Sequence, residues 1–271
     1  MQKKIAFYGK GGIGKSTTAA NVSAALTEFG HQVCQIGCDP KNDSTRLLLG
    51  RVCSQTVLDM VKQYGDAVQA EQIVHSGFGG VHCVEAGGPE PGVGCAGRGI
   101  IVALERLTAL QALPEDAVIL YDVLGDVVCG GFAVPIREGY ATDIYIVSSG
   151  ELMSLYAANN IAKGIARYAA RGPVRLGGII GNSRGIANEH DLLQAFAKRL
   201  NTSLVAYIPR DRIVNKAEIH RKTVIEFAAD SGQAAIYRKL ANFICENAAL
   251  TVPTPMTFAE LEEMVLTYGD E

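Results

Sequence analysis

The chain alternates between two kinds of apolar pattern. Short, nearly continuous apolar runs rich in Val, Ile and Tyr are typical of buried parallel strands. Between them, apolar residues recur at helical spacing, as Val22, Leu26 and Phe29 do in the first such segment. The pattern predicts strands over 4–8, 33–38, 81–85, 117–122, 143–148, 174–180 and 203–208, and helices over 16–29, 55–63, 98–111, 150–169, 188–199, 233–247 and 257–267.

This alternation predicts a single α/β domain over 1–271. Right-handed crossovers place the helices on both faces of a mostly parallel sheet. A chain of 271 residues is long enough for one such domain with a large core. The segment from about residue 250, with Pro253 and Pro255 before the last predicted helix, is expected to be a C-terminal extension that packs on another surface.

The most specific motif follows the first predicted strand. Residues 9–16 read Gly-Lys-Gly-Gly-Ile-Gly-Lys-Ser and fit G-x-x-x-x-G-K-[ST] between a strand and a helix. Its glycines let backbone amides and the helix N-terminus face a phosphate. Lys15 is expected to contact the outer phosphates, and the Ser16 hydroxyl to hold Mg²⁺. The predicted nucleotide loop comprises Gly9, Lys10, Gly11, Gly12, Ile13, Gly14, Lys15, Ser16 and Thr17.

Lys10 is a second lysine early in this loop. The string G-K-G-G-I-G-K-S resembles the deviant phosphate loops of ATPases that partition chromosomes, place septa or deliver tail-anchored proteins. In that superfamily two subunits enclose two nucleotides, so the resemblance implies that Lys10 reaches the phosphates bound by the partner subunit. The alternative is a solvated loop lysine.

Two pairs of aspartates follow later strands. Asp39 and Asp43 come after the strand 33–38, and Asp122 and Asp126 come at the end of the strand 117–122. The carboxyl ends of parallel strands face the ligand crevice, so all four can approach the phosphate loop. Asp122 is the best candidate for the Mg²⁺ shell, and Asp39 or Asp126 for orienting the attacking water. Asp43 is equally well explained as a turn residue.

Composition and charge narrow the classes of function. A net charge of −3 leaves no basic excess for neutralising the phosphates of a nucleic acid. No apolar run approaches the roughly 20 residues of a membrane helix, and Gln2-Lys3-Lys4 leads into a strand rather than a secretory signal. We therefore expect a cytoplasmic protein that binds neither nucleic acid nor membrane.

Two of the seven cysteines differ from the rest. Cys95 and Cys129 lie among glycines, whose exposed backbone N–H groups can donate to cluster sulfides. Two cysteines cannot complete a Cys₄ cluster site, but a symmetric dimer supplies two from each chain. The other cysteines are predicted to be reduced core thiols.

Long motifs resemble one family along essentially the whole chain. They read GKGGIGKST, GCDPK-x-DST, GGPEPGVGCAGRG and DVLGDVVCGGFA-x-PIRE, and the likeness continues through 156–161, 182–184, 209–211 and the last helix. In these strings the chain resembles the nitrogenase iron protein family, the ATP-dependent reductase components of nitrogenase and nitrogenase-like enzymes. The resemblance implies a homodimer that passes one electron per cycle to a catalytic component while MgATP becomes MgADP.

The same resemblance implies cofactors and catalytic residues. One 4Fe–4S cluster lies between the subunits in that family, which implies Cys95 and Cys129 as ligands here. Lys10, Asp39 and Asp126 correspond to residues that couple hydrolysis to movement of the cluster. Further nucleotide contacts are implied for Lys15, Ser16, Asp43 and Asp122, and base and ribose contacts for Asn182, Pro209, Asp211, Glu218, Gln233 and Tyr237.

Partners are implied in the same way. Arg98 and Arg137 match arginines on the surface that docks the catalytic component, and Arg98 also matches an arginine that some organisms ADP-ribosylate. A low-potential ferredoxin or flavodoxin is the implied electron donor. The catalytic component is a nitrogenase or a nitrogenase-like enzyme, such as methylthio-alkane reductase.

The chain departs from the family pattern at several positions. Gly181 stands where a cysteine is usual before Asn-Ser-Arg, and Asn42 replaces the common alanine. The string 35–38 is similar instead to reductases of chlorophyllide reduction and of the nickel-tetrapyrrole pathway. These departures favour a nitrogenase-like partner over one that reduces dinitrogen.

Two other functions compete with this one. A cluster-free partitioning or positioning ATPase needs neither Cys95 nor Cys129, and a basic patch or an amphipathic C-terminal helix would favour it. A carrier that inserts Fe–S clusters would also use cysteines at a dimer interface, but usually as C-x-x-C, which is absent from this chain.

Overall fold

The computed structural model describes residues 2–88, 96–123, 125 and 134–269, without the side chain of Ala96. Its strands are β1 (Lys4–Tyr8), β2 (Val33–Gly37), β3 (His75–Ser76), β4 (His82–Glu85), β5 (Val118–Asp122), β6 (Asp143–Ser148), β7 (Arg175–Asn182) and β8 (Leu204–Ile208). Its α-helices are α1 (Lys15–Glu28), α2 (Arg46–Leu49), α3 (Val57–Tyr64), α4 (Ala70–Ile73), α5 (Ala96–Ala109), α6 (Val134–Arg137), α7 (Leu152–Ala169), α8 (Glu189–Arg199), α9 (Arg212–Ile219), α10 (Val224–Phe227), α11 (Gly232–Glu246) and α12 (Phe258–Gly269).

The strands form one sheet in the order β3-β4-β2-β5-β1-β6-β7-β8. Every neighbouring pair is parallel except the short β3 against β4. The predicted mostly parallel α/β domain is therefore confirmed. Each strand predicted from an apolar run is present within two residues of its predicted ends.

Both faces of the sheet are buried, which explains the continuous apolar runs. In β1, Ala6 and Tyr8 face one apolar cluster, and Ile5 and Phe7 face the other. Helices α1 and α11 pack together on the second face, and α5, α7, α8 and α12 contribute to the first. The sheet is thus covered on both faces, which leaves the carboxyl ends of its strands as the expected place for a ligand.

The seven longer predicted helices are present within two residues of their predicted ends. The short helices α2, α4, α6, α9 and α10 were not predicted. They have four to eight residues each, which is too few for an apolar repeat to be distinguished from a loop. One of them, α9, begins at the nucleotide site, where Asp211 caps its first turn by accepting from Ile213 N at 2.8 Å.

The C-terminal segment packs on this same domain. Thr251 pairs with Leu176 of β7, and Asn159 of α7 exchanges two hydrogen bonds with the backbone of Met256, at 2.8 and 2.9 Å. Helix α12 then packs against α7 and α8 with Leu261 fully buried. Within the described ranges no helix combines the length and apolar character needed to cross a membrane.

Candidate nucleotide site

The loop between β1 and α1 has the backbone of a phosphate-binding loop. Gly9, Gly12 and Gly14 have φ angles of 150°, 73° and 97°, in the region that favours glycine. A Cβ on Gly9 would collide with the carbonyl of Val147, and one on Gly14 with the amide of Asn182. Only glycine lets this backbone fold tightly at the N-terminus of α1, where it presents N–H groups to an anion.

Two side chains, one at the end of β7 and one just after it, hold this loop in place. Asn182 donates its Nδ2 to the carbonyl of Ile13 at 2.6 Å, and Arg184 donates its Nη2 to the carbonyl of Gly12 at 2.6 Å. The resemblance assigned Asn182 to the base. The structure also makes it a support of the loop backbone.

A buried carboxylate organises the segment that carries these two residues. Glu189 accepts hydrogen bonds from Gly150 N at 2.9 Å, from Ser183 Oγ at 2.7 Å and from the backbone of Arg184 and Gly185. Burial alone raises the pKa of Glu189, but these hydrogen bonds outweigh it and hold the pKa below its usual range. Glu189 therefore stays ionised and joins the β6–α7 and β7–α8 loops beside the phosphate loop.

Lys15 and Asp122 lie side by side under the loop. Lys15 donates to the carbonyl of Lys10 at 3.3 Å and is only 7% exposed. Burial raises the pKa of Asp122, while Lys15 and hydrogen bonds from the Ser16 and Ser44 hydroxyls lower it in part. Asp122 Oδ1 has no hydrogen-bond partner within the described part of the chain. A buried carboxylate oxygen beside the Ser16 hydroxyl fits a hydrated Mg²⁺, for which both are suitable ligands or second-layer acceptors.

The loop after β2 brings Asp39 and Asp43 to a cavity that the phosphate loop also lines. Asp39 accepts from Lys41 N at 3.0 Å and forms an ion pair with Lys41 Nζ at 3.7 Å. Asn42, which departs from the family pattern, has a φ of 56° and donates its backbone N–H to the carbonyl of Asp39 at 3.1 Å. Asparagine adopts this left-handed conformation more readily than alanine, which accounts for the substitution locally.

The segment after β5 approaches the phosphate loop from the other side. Gly125 packs so closely on Gly9 that a Cβ at Gly125 would collide with the Gly9 carbonyl. Asp126 comes next in the chain, but it lies outside the described residues, as Cys95 and Cys129 do. The structure therefore describes the approach of this segment to the loop and leaves the roles of Asp126, Cys95 and Cys129 as predictions.

A cavity of about 450 Å³ extends from the phosphate loop to the start of α9. At its far end Glu218 forms an ion pair with Arg46 at 3.3 Å, and burial raises the pKa of Tyr237 to about 12. Gln233 is buried beside Tyr237, and its Nε2 has no hydrogen-bond partner within the described residues. Of the predicted residues, the cavity is lined by Gly11, Gly12, Ile13, Gly14, Lys15, Ser16, Thr17, Asp39, Asp43, Asn182, Pro209, Asp211, Glu218 and Tyr237.

Several wall residues were missed by sequence reasoning. Lys41, Arg184 and Arg210 add three positive charges to the same cavity, and Val214 and Asn215 of α9 complete its far end. Lys41 lies in the DPK motif and Arg210 in Pro-Arg-Asp. Their positive charge inside these motifs is the sequence feature that could have predicted a contact with phosphate. Val214 and Asn215 carried no signal, because α9 itself was not predicted.

The two arginines expected at a docking surface are on neighbouring helices. Arg98 is exposed in the first turn of α5, and Arg137 is the last residue of α6, which packs against α5. Arg137 forms an ion pair with Glu138 at 2.7 Å. This arrangement is compatible with a shared surface, and docking itself stays a prediction.

The five described cysteines behave as core thiols. Cys34, Cys38 and Cys83 are fully buried in the sheet, and burial raises the pKa of each thiol far above its usual value. Cys53 is buried and Cys245 partly buried. Within the described ranges no three His, Cys, Asp or Glu residues form a group that would bind a metal.

The sheet topology places the strands that lead toward Cys95 and Cys129 close together. The segment with Cys95 follows β4 and the segment with Cys129 follows β5, and these parallel strands are separated only by β2. Both segments therefore start from the same edge of the sheet, about 10 Å apart at the strand spacing of parallel sheets. The ligand role of Cys95 and Cys129 stays a prediction, since both residues lie outside the described part of the chain.

Fold and loop together define the class of protein. A parallel sheet with G-x-x-x-x-G-K-[ST] between β1 and α1 and an aspartate ending the neighbouring strand is the core of a P-loop ATPase. Within this class, residues 3–271 match the family described as 4Fe-4S iron sulfur cluster binding proteins, NifH/frxC family. The chain belongs to that family.

Solved structures share the fold. The septum site-determining protein MinD from Pyrococcus horikoshii OT3, complexed with Mg-ADP, is 20% identical with a TM-score of 0.71, over 91% of this chain and 97% of that one. A ParA family ATPase from Chlorobium tepidum TLS is 19% identical with a TM-score of 0.67, over 90% and 98%. Cobyrinic acid a,c-diamide synthase from Mycobacterium smegmatis, with an ATP analogue and magnesium, is 19% identical with a TM-score of 0.68, over 95% and 100%.

Proposed function

We propose that this chain is an ATP-dependent one-electron reductase of the nitrogenase iron protein type. It works as a homodimer with one 4Fe–4S cluster between the subunits, and it passes electrons to a nitrogenase or nitrogenase-like catalytic component. The observation that carries this proposal is the position of two glycine-flanked cysteines in a chain of a cluster-binding family. They follow β4 and β5, the two neighbours of β2, and β2 leads into the nucleotide site.

MgATP binding is assigned to residues of one subunit. The loop amides and Lys15 bind the phosphates, and Ser16 with Asp122 holds Mg²⁺. In the far part of the cavity, the base and ribose are enclosed by Asn182, Pro209, Asp211, Glu218 and Tyr237. Gln233 packs beside Tyr237. Structures with Mg-ADP or an ATP analogue and magnesium on the same fold support this assignment.

Coupling between nucleotide and partner is assigned to loops that touch the phosphate site. Lys10 lies on the rim of the loop and reaches the nucleotide of the other subunit, and Asp39 and Asp126 respond to hydrolysis. Cys95 and Cys129 hold the cluster, which stores one electron at low potential and releases it. Gly125 packs on the phosphate loop three residues after Asp122 and four before Cys129, so the phosphate site and the Cys129 segment are mechanically joined.

The partners follow from this role. A low-potential ferredoxin or flavodoxin donates the electron, and Arg98 and Arg137 orient the catalytic component. Exposed arginines on neighbouring helices suit the recognition of carboxylates on a partner. The protein is proposed to act in the cytoplasm without nucleic acid or membrane.

The second candidate is a cluster-free positioning ATPase, which the shared fold of MinD and the ParA family ATPase favours. Helix α12 argues against a membrane-binding version of it. The helix contains Glu260, Glu262 and Glu263 and no Lys or Arg, whereas an interfacial helix needs a basic face to bind anionic lipid.

Anaerobic purification distinguishes the two candidates. We expect a brown dimer with about four irons per two chains, as a Cys₄ site shared between chains requires. Cys95→Ala and Cys129→Ala should each abolish the iron, whereas Cys34→Ala, Cys53→Ala and Cys245→Ala should retain it. Normal iron in Cys129→Ala contradicts the ligand assignment, and an iron-free unmutated dimer that hydrolyses ATP favours the positioning ATPase.

A further inference from the structure

We infer that Glu85 is a positioning residue that joins the nucleotide site to the segment leading toward Cys95. Two regions are involved: the 39–45 loop, which carries Asp39 and Asp43, and the 85–88 segment, which begins at the last residue of β4. The consequence for the cluster rests on the proposed function, but the junction between the two regions stands on contacts of described residues.

The junction is a pair of short buried hydrogen bonds. Thr45 donates both its backbone N–H and its Oγ1 to Glu85 Oε1, each at 2.7 Å. Glu85 is 1% exposed and Thr45 is fully buried. Thr45 is also the N-cap residue directly before α2, so its hydrogen bonds to Glu85 hold the point at which the 39–45 loop ends.

Close backbone packing extends the junction beyond Glu85. A Cβ built on Gly88 would lie 2.6 Å from Pro40 Cβ, so Pro40 of the 39–45 loop rests directly on the Gly88 backbone. Ala86 donates its N–H to the carbonyl of Gly37 at 2.9 Å. The 85–88 segment therefore cannot stay in place when Pro40 and Thr45 move, because packed regions shift together rather than deform continuously.

A second buried side chain, Gln35, also holds the 39–45 loop, but it connects the loop to a different part of the fold. Gln35 of β2 donates to the carbonyl of Ser44 at 2.9 Å and accepts from Ser23 of α1 at 2.8 Å. Gln35 thus ties the same loop to α1. Glu85 ties it to the end of β4, from which the chain runs on to Cys95.

This arrangement makes a second route from nucleotide to cluster. The first runs along the chain from Asp122 through Gly125 to Cys129. In the second, a displacement of Asp39 and Asp43 by phosphate or Mg²⁺ passes through Thr45 and Pro40 to the 85–88 segment. The dimer would then move both cysteine-bearing segments in response to one nucleotide.

The test is amide hydrogen exchange of the peptide covering 82–88 in the full dimer, with and without MgADP. We expect nucleotide to change the exchange of the Gly87 and Gly88 amides. Thr45→Val, which removes one of two donors, should reduce that change by about fivefold, the factor that one buried hydrogen bond represents. Gly88→Ala should alter the change as well, because it displaces Pro40.

Matched variants keep the test specific. Thr45→Ser retains the hydroxyl and should behave like the unmutated protein, and Ser23→Ala removes a buried hydrogen bond of similar length that does not reach the 85–88 segment. An unchanged nucleotide response in Thr45→Val, or no response in the unmutated protein, overturns the inference. Iron content tests the proposed function separately, since an iron-free dimer that still shows the Thr45-dependent response rejects only the reductase.

Discussion

The ammonium group of Lys15 donates to the backbone carbonyl of Lys10 at 3.3 Å, which places the two lysines of the phosphate loop in different surroundings. Lys15 is buried inside the curve of the loop, whereas Lys10 is half-buried on its rim. The inner lysine faces the nucleotide site of its own chain, and the outer one is proposed to face a second subunit. The two lysines should therefore respond differently to the same substitution.

Lys15→Gln should weaken MgATP binding by about tenfold or more, because it removes a charged hydrogen-bond donor to the phosphates. Lys10→Gln should bind MgATP normally and lose hydrolysis, because its proposed contact forms only across the closed dimer. Equilibrium binding of a fluorescent nucleotide and steady-state ATP turnover separate the two effects. Equal loss of binding in both variants would contradict a role for Lys10 across the interface.

Asp39→Asn should keep MgATP binding and uncouple it from the cluster, and Asp126→Glu should act in the same direction. Asp39 lies on the cavity wall but is already partnered by Lys41, so losing its charge changes the response more than the affinity. The measurement is the rate at which an iron chelator removes iron with and without MgATP. Asp116→Asn, at an exposed position, is the control. If MgATP does not change the chelation rate of the unmutated protein, the coupling mechanism is ruled out.

Glu85 should make the free energy of unfolding depend on pH. Burial raises its pKa to about 8, the Thr45 hydrogen bonds lower it in part, and Asp122 and Asp43 add to the rise; Cys38 also faces it. A carboxyl whose pKa rises on folding binds its proton more tightly in the folded chain. The contribution of Glu85 to the free energy of unfolding is therefore complete below the pKa that Glu85 has in the unfolded chain. It falls as pH rises toward 8, by up to about 1.4 kcal/mol per pH unit.

Glu85→Gln should remove this slope while keeping an acceptor for Thr45. Urea unfolding of the nucleotide-free protein at several values between pH 5 and pH 8 measures it. Glu105→Gln, at an exposed position of α5, should leave the slope unchanged. A slope as steep in Glu85→Gln as in the unmutated protein would show that another group titrates.

Arg98→Glu should leave iron content and MgATP binding unchanged and abolish partner-dependent ATP turnover. Reversing a charge at a docking anchor costs about 1–3 kcal/mol or more. Turnover is followed with and without the catalytic component. Lys239→Glu on α11, which packs on the opposite face of the sheet from α5, serves as the matched control and should retain turnover. Full turnover in Arg98→Glu would move the docking surface elsewhere.

The terminal substrate is tested by reconstitution with each candidate partner. We expect activity with a nitrogenase-like component, such as methylthio-alkane reductase, rather than full-rate ammonia formation. One departure from the family pattern, Gly181, has a structural reason. A Cβ at this position would lie 2.9 Å from Leu193 Cδ1 and 3.0 Å from Tyr207 Cδ2, so a larger residue would crowd both side chains. Ammonia at full rate with a dinitrogen-fixing component would refute this preference and leave the electron-donor assignment intact.

The sequence by itself determined the sheet, the longer helices, the phosphate loop and the family. These features are local or periodic: a strand buried on both faces reads as an apolar run, and a loop around phosphate requires glycine at Gly9 and Gly14 whatever surrounds it. Membership in the family also rests on long contiguous strings, so it needed no tertiary information.

The tertiary structure decided which distant residues act on the loops of the nucleotide site. Glu189 stabilises the segment of Asn182 and Arg184, and Glu85 meets Thr45 across 40 positions of the chain; neither glutamate lies in a motif that indicates its role. The short helix α9 was likewise not indicated by any apolar pattern, although its capping residue Asp211 stands in a family motif. Such contacts arise because parallel strands bring their carboxyl ends to one edge, where burial and hydrogen bonding select partners that sequence distance does not reveal.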